Sequence, residues 1–267
     1  MKILFVGDVV GKSGRKALDL HLPALIAKHS PECVIVNAEN AAHGHGLTAK
    51  ICDEIFALGV DCITTGNHIW DKQEIIPYIE ENERLIRPIN YPAGSPGKGA
   101  IAFMTRSGRK ILVVNAMGRL FMDAIDDPFT AVDALIKSQT MGDTVDAIFV
   151  DFHAETTSET MAFGHFVDGR VSAVIGTHTH VPTADHHVLK GGTAYQTDAG
   201  MTGCYDSVIG FEKEAPIARF TTKIPLGRLQ PSDDEGTLCG CLIVTDDKTG
   251  LATAIKPIRK GPWLQET

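Results

Sequence analysis

Short apolar runs, each followed by a polar side chain of a type that binds metal ions, recur along this chain of 267 residues. In the first third, the runs Lys2 to Val6, Cys33 to Val36 and Cys62 to Thr65 alternate with segments of helical character. Buried strands that alternate with helices are typical of a parallel sheet with helices on its faces. The order β-α-β-α-β-α is therefore predicted here, and it places the fold in the α/β class.

Three helices are expected between and after these strands. They are predicted at Gly11 to Ser30 with an interruption at Pro23, from a capping Thr48 to Leu58, and at Lys72 to Glu80 with a kink at Pro77.

The remaining two thirds are predicted to contain further strands and helices without an internal repeat or a linker. The middle third is expected to hold a hairpin of Ile101 to Thr105 with Lys110 to Asn115, a helix after Pro128, a strand at Ala147 to Val150, a helix at Ser158 to Phe166, and a strand at Val171 to Gly176. Antiparallel strands are expected at Val188-Leu189, Thr193 to Gln196, Cys241 to Thr245 and Ala252 to Lys256. No element is predicted for the glycine-, proline- and acid-rich stretch from 201 to 236. One domain over residues 1–267, with two packed mixed β-sheets flanked by helices, is the simplest account.

Composition narrows the classes of partner. The net charge is −8 and the pI is about 5.7, which disfavours duplex DNA and acidic membranes because both reward a basic face. A small phosphorylated substrate is compatible with this charge if a metal ion supplies positive charge locally. The sequence leaves the oligomeric state open, including a homo-oligomer.

The sequence also bears on location. No apolar run has the length of a membrane span, and the amino terminus resembles a short buried strand rather than a signal peptide. The six cysteines have no framework spacing. We therefore expect a cytoplasmic protein with reduced thiols and no membrane partner.

Five strand ends carry residues that bind metals. These residues are Asp8, then Glu39 with Asn40, then Asn67 with His68, then His153, and finally His178 with His180 in the run Gly176-Thr177-His178-Thr179-His180. Because parallel strands bring their carboxyl ends to one edge of a sheet, these side chains are expected to converge.

The set contains more ligands than one metal ion needs, so two ions fit it better. Carboxylate, imidazole and carboxamide groups together suit iron, manganese or zinc, with iron or manganese favoured. Two such ions about 3.5–4 Å apart form the hydrolytic site of phosphatases and nucleases.

These motifs resemble the calcineurin-like metallophosphoesterase superfamily. Gly66-Asn67-His68 is similar to one of its blocks, and residues 176–180 are similar to its final Gly-His-x-His block with Thr177 inserted. Two departures are a first block with Val10 in place of a histidine and a second block with Glu39 in place of an aspartate. With the run from Asp151 to Glu159, they resemble the YmdB-type branch over nearly the whole chain.

The resemblance implies a role for each residue. One metal would be held by Asp8, Glu39, Asn40 and His180, and the other by Asn67, His153 and His178 with Glu39 as the bridge. His68 would contact the substrate and protonate the leaving oxygen, while a hydroxide between the two metals attacks phosphorus. His43 and His45 are interpreted either as contacts to phosphate or base or as loop surface. Glu155 is expected to orient His153.

The activity implied by the resemblance is hydrolysis of cyclic nucleotides, with 2′,3′-cyclic nucleotides favoured. The residues by themselves support only metal-assisted phosphoester hydrolysis. A phosphomonoesterase, a phosphoprotein phosphatase and a regulator that binds nucleotide or RNA without turnover therefore stay as alternatives.

Overall fold

The structure is a computed structural model that describes residues 1–225 and 227–267. Its strands are β1 Lys2–Val6, β2 Cys33–Asn37, β3 Cys62–Thr64, β4 Ala100–Met104, β5 Lys110–Met117, β6 Ala147–His153, β7 Ala173–Thr177, β8 His187–Val188, β9 Ala194–Gln196, β10 Leu238–Thr245 and β11 Ala252–Lys260. Its helices are α1 Gly11–His29, α2 Ala49–Ala57, α3 Ile75–Glu81, α4 Pro128–Ile136, α5 Thr157–Phe166 and α6 Glu214–Thr222.

The strands form two mixed sheets, as the sequence predicts. The first sheet has the order β11-β10-β1-β2-β3, and the second has the order β4-β5-β6-β7-β9-β8. Strands β1 to β3 are parallel to one another, whereas β10 runs antiparallel to β1. Strands β5, β6, β7 and β9 are likewise parallel. The carboxyl ends of both parallel sets carry the polar residues described above.

The two sheets pack face to face with helices outside them. Ile3 and Phe5 of β1 belong to a core that they share with Phe149 of β6, whereas Leu4 and Val6 pack against the layer of α1 and α2. A third core lies between the second sheet and helices α4 and α5. This division follows from strand geometry, because successive side chains point to opposite faces of a sheet.

Several local predictions need correction. Pro23 lies inside an uninterrupted α1, and α3 begins at Ile75, so Pro77 occupies its first turn, where no intrahelical N–H bond is lost. Strands β8 and β9 pair antiparallel, as the sequence predicted, and β9 also pairs parallel with β7, which the sequence did not predict. Helix α6 lies in the stretch for which no element was predicted.

Two further features concern solvent and membrane exposure. Within the described ranges, no helix combines the length and hydropathy that crossing a membrane requires. All six cysteines are buried and free of disulfides.

Candidate metal centre

The predicted ligands converge where the carboxyl ends of the two sheets meet. The sequence placed them at one edge of one sheet, but the structure draws them from both. Asp8, Glu39, Asn40 and Asn67 follow strands β1 to β3 of the first sheet, and His153, His178 and His180 lie at the ends of β6 and β7 of the second. Five of the seven are buried. The face-to-face packing of the sheets therefore builds the site.

Three side chains surround the Nε2 atom of His153. This atom lies 3.0 Å from Asn67 Oδ1 and 3.1 Å from His178 Nδ1. It also lies 3.2 Å from Glu39 Oε1. Separations of this size are typical of ligand atoms on one metal ion. Together with His153, these three side chains make up the predicted ligand set of Glu39, Asn67, His153 and His178.

The other predicted group also contacts Glu39, through the same carboxylate oxygen. Nδ2 of Asn40 is 2.9 Å from Glu39 Oε1 and 3.2 Å from His180 Nε2. Asp8 contributes Oδ2 to a 2.8 Å hydrogen bond from the backbone N–H of His178. Glu39 therefore contacts members of both groups, which is the position expected of a bridging carboxylate.

Two buried oxygens in this second group test whether it suits a metal ion. Oδ1 of Asp8 and Oδ1 of Asn40 have no hydrogen-bond partner in the part of the chain that the structure describes. Buried polar atoms are rarely left without a partner, so such oxygens fit an ion as their missing contact. A 180° rotation of the Asn40 amide exchanges its oxygen and nitrogen and presents oxygen toward His180.

Each of the three histidines directs one ring nitrogen at the centre because the other nitrogen is engaged. His153 Nδ1 is 2.9 Å from Thr177 Oγ1, and His180 Nδ1 is 2.8 Å from the carbonyl oxygen of Ile209. His178 Nε2 is 3.0 Å from Glu155 Oε2. A partner of this kind selects the tautomer and the ring orientation of a metal-binding histidine. Glu155 thus orients His178, and the prediction that it orients His153 was wrong.

The charges in the centre shift the pKa values strongly. Burial lowers the pKa of His153, but the carboxylates of Glu39, Asp8 and Asp151 together outweigh this effect and raise that pKa to about 9. Burial lowers the pKa of His178 to about 3, and the neighbouring His153 adds to this shift. Burial also raises the pKa of Asp8 well above its usual value. These shifts favour positive charge on His153 but not on His178. A metal ion would supply the additional positive charge that compensates the buried carboxylates.

Gly66 allows the centre to be this compact. A Cβ atom at this position would lie 2.3 Å from His153 Nε2 and 2.4 Å from Glu39 Oε2. Every other residue would therefore push two predicted ligands apart. The glycine that precedes Asn67 and His68 is required by this close approach.

A buried polar network that the sequence did not predict lies beneath the centre. The Asp151 carboxylate accepts hydrogen bonds from Thr64 Oγ1 at 2.5 Å, Asn37 Nδ2 at 2.9 Å and Thr177 Oγ1 at 2.7 Å. Thr64 and Asn37 belong to the first sheet, and Asp151 and Thr177 belong to the second. Asp151 therefore links the sheets and supports His153 through Thr177. Its place at the end of β6, two residues before His153, was the signal available in the sequence.

Asp198 is a second buried carboxylate that the sequence analysis missed. Its Oδ2 accepts hydrogen bonds from the backbone N–H and the hydroxyl of Thr179, both at 2.9 Å. His178 and His180 on either side adopt φ angles of 103° and 65°, which are unfavourable for residues with a Cβ. Asp198 therefore holds the strained turn that presents both histidines.

An open cavity of about 270 Å³ lies in front of the predicted ligands. Residues lining it include His45, His68, Thr179 and Phe211. Nδ1 of His68 is 2.9 Å from Asp71 Oδ2. His43 is exposed on the same loop as His45 and, within the described ranges, does not line the cavity. Substrate contacts by His43 and His45 stay predictions.

A centre of paired carboxylate, amide and imidazole groups between two mixed sheets defines a metallophosphoesterase arrangement. The YmdB-like family matches residues 4–258, and the chain belongs to this family. The resemblance drawn from the sequence motifs is thereby confirmed.

Known proteins agree with this assignment. The chain is 48% identical over 258 residues to a 2′,3′-cyclic-nucleotide 2′-phosphodiesterase of Bacillus subtilis (strain 168), covering 97% of this chain and 96% of that protein. A hypothetical protein from Thermus thermophilus superposes with a TM-score of 0.90 at 43% identity, covering 98% of this chain and 99% of that one. A novel phosphatase from Mycoplasma pneumoniae has the same TM-score at 35% identity, with coverages of 98% and 93%.

Proposed function

We propose that this protein is a metal-dependent phosphodiesterase that hydrolyses cyclic nucleotides, with 2′,3′-cyclic nucleotides as the favoured substrates. The observation that carries the proposal is the position of Glu39, whose Oε1 atom lies 3.2 Å from His153 Nε2 and 2.9 Å from Asn40 Nδ2. A carboxylate shared by two ligand groups suits a pair of ions. The name of the similar Bacillus subtilis protein supports the substrate class.

The metal ligands and His68 have different roles in the proposed hydrolysis. Two divalent ions held by the predicted ligands would polarise the phosphoryl group and activate the attacking water. His68 lies at the cavity, next to Asn67, and its backbone N–H donates to Glu39 Oε2 at 3.2 Å. Asp71 orients the His68 ring through Nδ1, so that Nε2 is available to the substrate. His68 then gives a proton to the departing ribose oxygen.

The proposal extends to the ions and to the compartment. The donor set of imidazole, carboxylate and amide groups without thiolate favours iron or manganese, and zinc also fits. The six buried free cysteines are compatible with a reducing, cytoplasmic location. One domain over residues 1–267 is supported by the pairing of β10 with β1, which brings both ends of the chain into one sheet.

The decisive experiment measures metal content and activity together. The purified protein is analysed for metals and assayed on 2′,3′-cyclic AMP, bis-p-nitrophenyl phosphate and p-nitrophenyl phosphate. We expect two ions per chain and the highest kcat/KM on the cyclic nucleotide. Highest activity on p-nitrophenyl phosphate would make it a phosphomonoesterase. Nucleotide binding without turnover would make it a binding protein.

The variant Glu39→Gln tests the bridging role within this experiment. A neutral amide cannot compensate two cations, so the variant should lose metal and activity while the fold persists. Glu54→Gln removes the same charge from helix α2, where Glu54 pairs with Lys50 at 3.9 Å. It should keep both ions. Two ions and full turnover in Glu39→Gln would contradict the proposal.

A further inference from the structure

We propose that His45, His68 and Asp71 form a third cation site beside the dinuclear centre, and that a divalent ion of the zinc type inhibits the enzyme by filling it. The inhibitory part rests on the function proposed above. The site itself is separate from the two ligand groups around Glu39, because none of its three residues belongs to them.

The three side chains are already arranged as ligands. One donor atom from each residue lies within 4.8 Å of the donor atoms of the other two. His68 Nδ1 and Asp71 Oδ2 are 2.9 Å apart, and the two imidazole rings have a centroid distance of 4.6 Å. Ligand atoms on a tetrahedral zinc ion lie about 3.3–3.4 Å apart, so small side-chain rotations would complete the geometry. Two histidines and one carboxylate also form a known catalytic zinc set with a free fourth position.

Two glycines hold His45 at this place. Gly44 and Gly46 adopt φ angles of 85° and 81°, which residues with a Cβ rarely adopt. A Cβ on Gly46 would lie 3.1 Å from the Asp71 Cβ, and one on Gly44 would lie 2.9 Å from the Phe211 ring. The loop is therefore packed directly against the segment that carries Asp71. The position of His45 beside Asp71 is therefore set by backbone packing.

His45 provides an independent sign of a missing ligand. Its ring stacks on Phe211 with a centroid distance of 5.1 Å. Its Nδ1 atom is buried and has no hydrogen-bond partner among residues 1–225 and 227–267. Burial, with a further contribution from His68, lowers the pKa of His45 and so favours its neutral form. A neutral imidazole with an unused nitrogen is what a zinc-type ion binds.

An ion at this site would interfere with the proposed role of His68. A histidine that binds an ion through either nitrogen cannot at the same time be the doubly protonated imidazolium that gives up a proton. Substrates whose leaving oxygen is strongly basic, such as a ribose hydroxyl, need that proton most. Inhibition should therefore be greater for a 2′,3′-cyclic nucleotide than for a p-nitrophenyl ester.

The site is tested first by counting ions. Protein loaded with manganese is dialysed against increasing zinc, and total metal per chain is measured for wild type, His45→Gln, Asp71→Asn and the matched control His43→Gln. His43 is exposed on the same loop as His45 but lies outside the cluster. We expect three ions in wild type and in His43→Gln, and two in the other variants. A limit of two in wild type, or a third ion that persists in both His45→Gln and Asp71→Asn, would overturn the site.

The inhibitory role is tested by kinetics on the same proteins. In wild type, the third ion should lower kcat on 2′,3′-cyclic AMP about tenfold or more relative to its effect on bis-p-nitrophenyl phosphate. In His45→Gln, the zinc concentration for half-inhibition should rise at least about tenfold. Equal inhibition of both substrates, or unchanged zinc sensitivity in His45→Gln, would overturn the inhibitory role. If the protein turns over neither substrate, the proposed function and the inhibition both fail, while the ion count still decides the site.

Discussion

The Nε2 atom of His153 lies 3.0 Å from Oδ1 of Asn67, although the two residues end strands of different β-sheets. Asn67 follows β3 in the first sheet, and His153 is the last residue of β6 in the second. Ions bound by both residues would therefore link the sheets as well as serve the chemistry. Because such ions bind the folded state, they should also stabilise it.

His178→Ala and His180→Ala should each weaken a different metal. His178 Nδ1 lies 3.1 Å from His153 Nε2 in one ligand group, whereas His180 Nε2 lies 3.2 Å from Asn40 Nδ2 in the other. Each variant should therefore retain partial occupancy of the remaining site, as measured by elemental analysis and by titration with manganese. If both substitutions empty the same site and leave the other filled, the proposed grouping of ligands is incorrect.

His68→Ala should separate chemistry from binding. Loss of a general acid lowers kcat by about 10²–10⁴-fold on a cyclic nucleotide, while both ions and much of the substrate affinity should remain. The loss should be smaller with bis-p-nitrophenyl phosphate, because p-nitrophenolate leaves without protonation. Equal losses on both substrates would indicate electrostatic stabilisation of the phosphoryl group instead. Loss of metal would make His68 a ligand.

Asp151→Ala should lower both stability and metal affinity. The change removes the shared acceptor of Thr64, Asn37 and Thr177, so buried donors lose their partners at a cost of about 2–4 kcal/mol in the free energy of unfolding. Freed from Asp151, Thr177 would no longer orient His153, and metal affinity should fall by about 10–100-fold.

Two matched variants make the Asp151 prediction specific. Asp151→Asn keeps one acceptor oxygen and should be affected less than Asp151→Ala. Asp143→Ala changes an exposed aspartate and should alter the unfolding free energy by no more than about 0.5 kcal/mol. Wild-type stability and affinity in Asp151→Ala, measured by urea unfolding and metal titration, would contradict the role of the network.

Glu32→Gln should cost stability in a manner that depends on pH. Burial would raise the pKa of Glu32, but the Arg109 guanidinium at 2.9 Å, together with hydrogen bonds from Ser107 and the Lys2 backbone, lowers it to about 2 from an ordinary 4.5. Because the folded pKa is depressed, the stabilisation is complete above pH 4.5 and disappears as the pH falls through 2. Unfolding at pH 7 should show a loss of about 2 kcal/mol in the variant.

The same measurement at lower pH provides the check on Glu32. The difference between wild type and Glu32→Gln should shrink steadily between pH 4.5 and pH 2. Glu54→Gln, which removes an exposed partner of Lys50, should differ from wild type by no more than about 0.5 kcal/mol at either pH. A difference that does not vary with pH would show that lost packing, not charge, explains the effect.

Local patterns in the sequence were sufficient to predict most of the strands and helices and the types of metal-binding side chain. The apolar runs at Lys2–Val6 and Cys33–Asn37 are strands, and Thr48 caps α2 through a hydrogen bond from the Ile51 N–H, as predicted. These features depend on residues that are neighbours in sequence, because strand burial and helix capping are decided within a few positions. The motif around Gly66-Asn67-His68 was readable for the same reason.

The tertiary structure decided which partners each side chain meets. The short strand β9 pairs antiparallel with β8, as predicted, but the pattern of its three residues could not show that its other edge pairs parallel with β7. The placement of Glu155 on His178, and the burial of Asp198 beneath Thr179, depend on contacts between distant segments. The sequence by itself determined the chemical groups available at each strand end. Only the packing of two sheets determined how those groups share Glu39, because distances between separate strands are set by the folded core and not by local sequence.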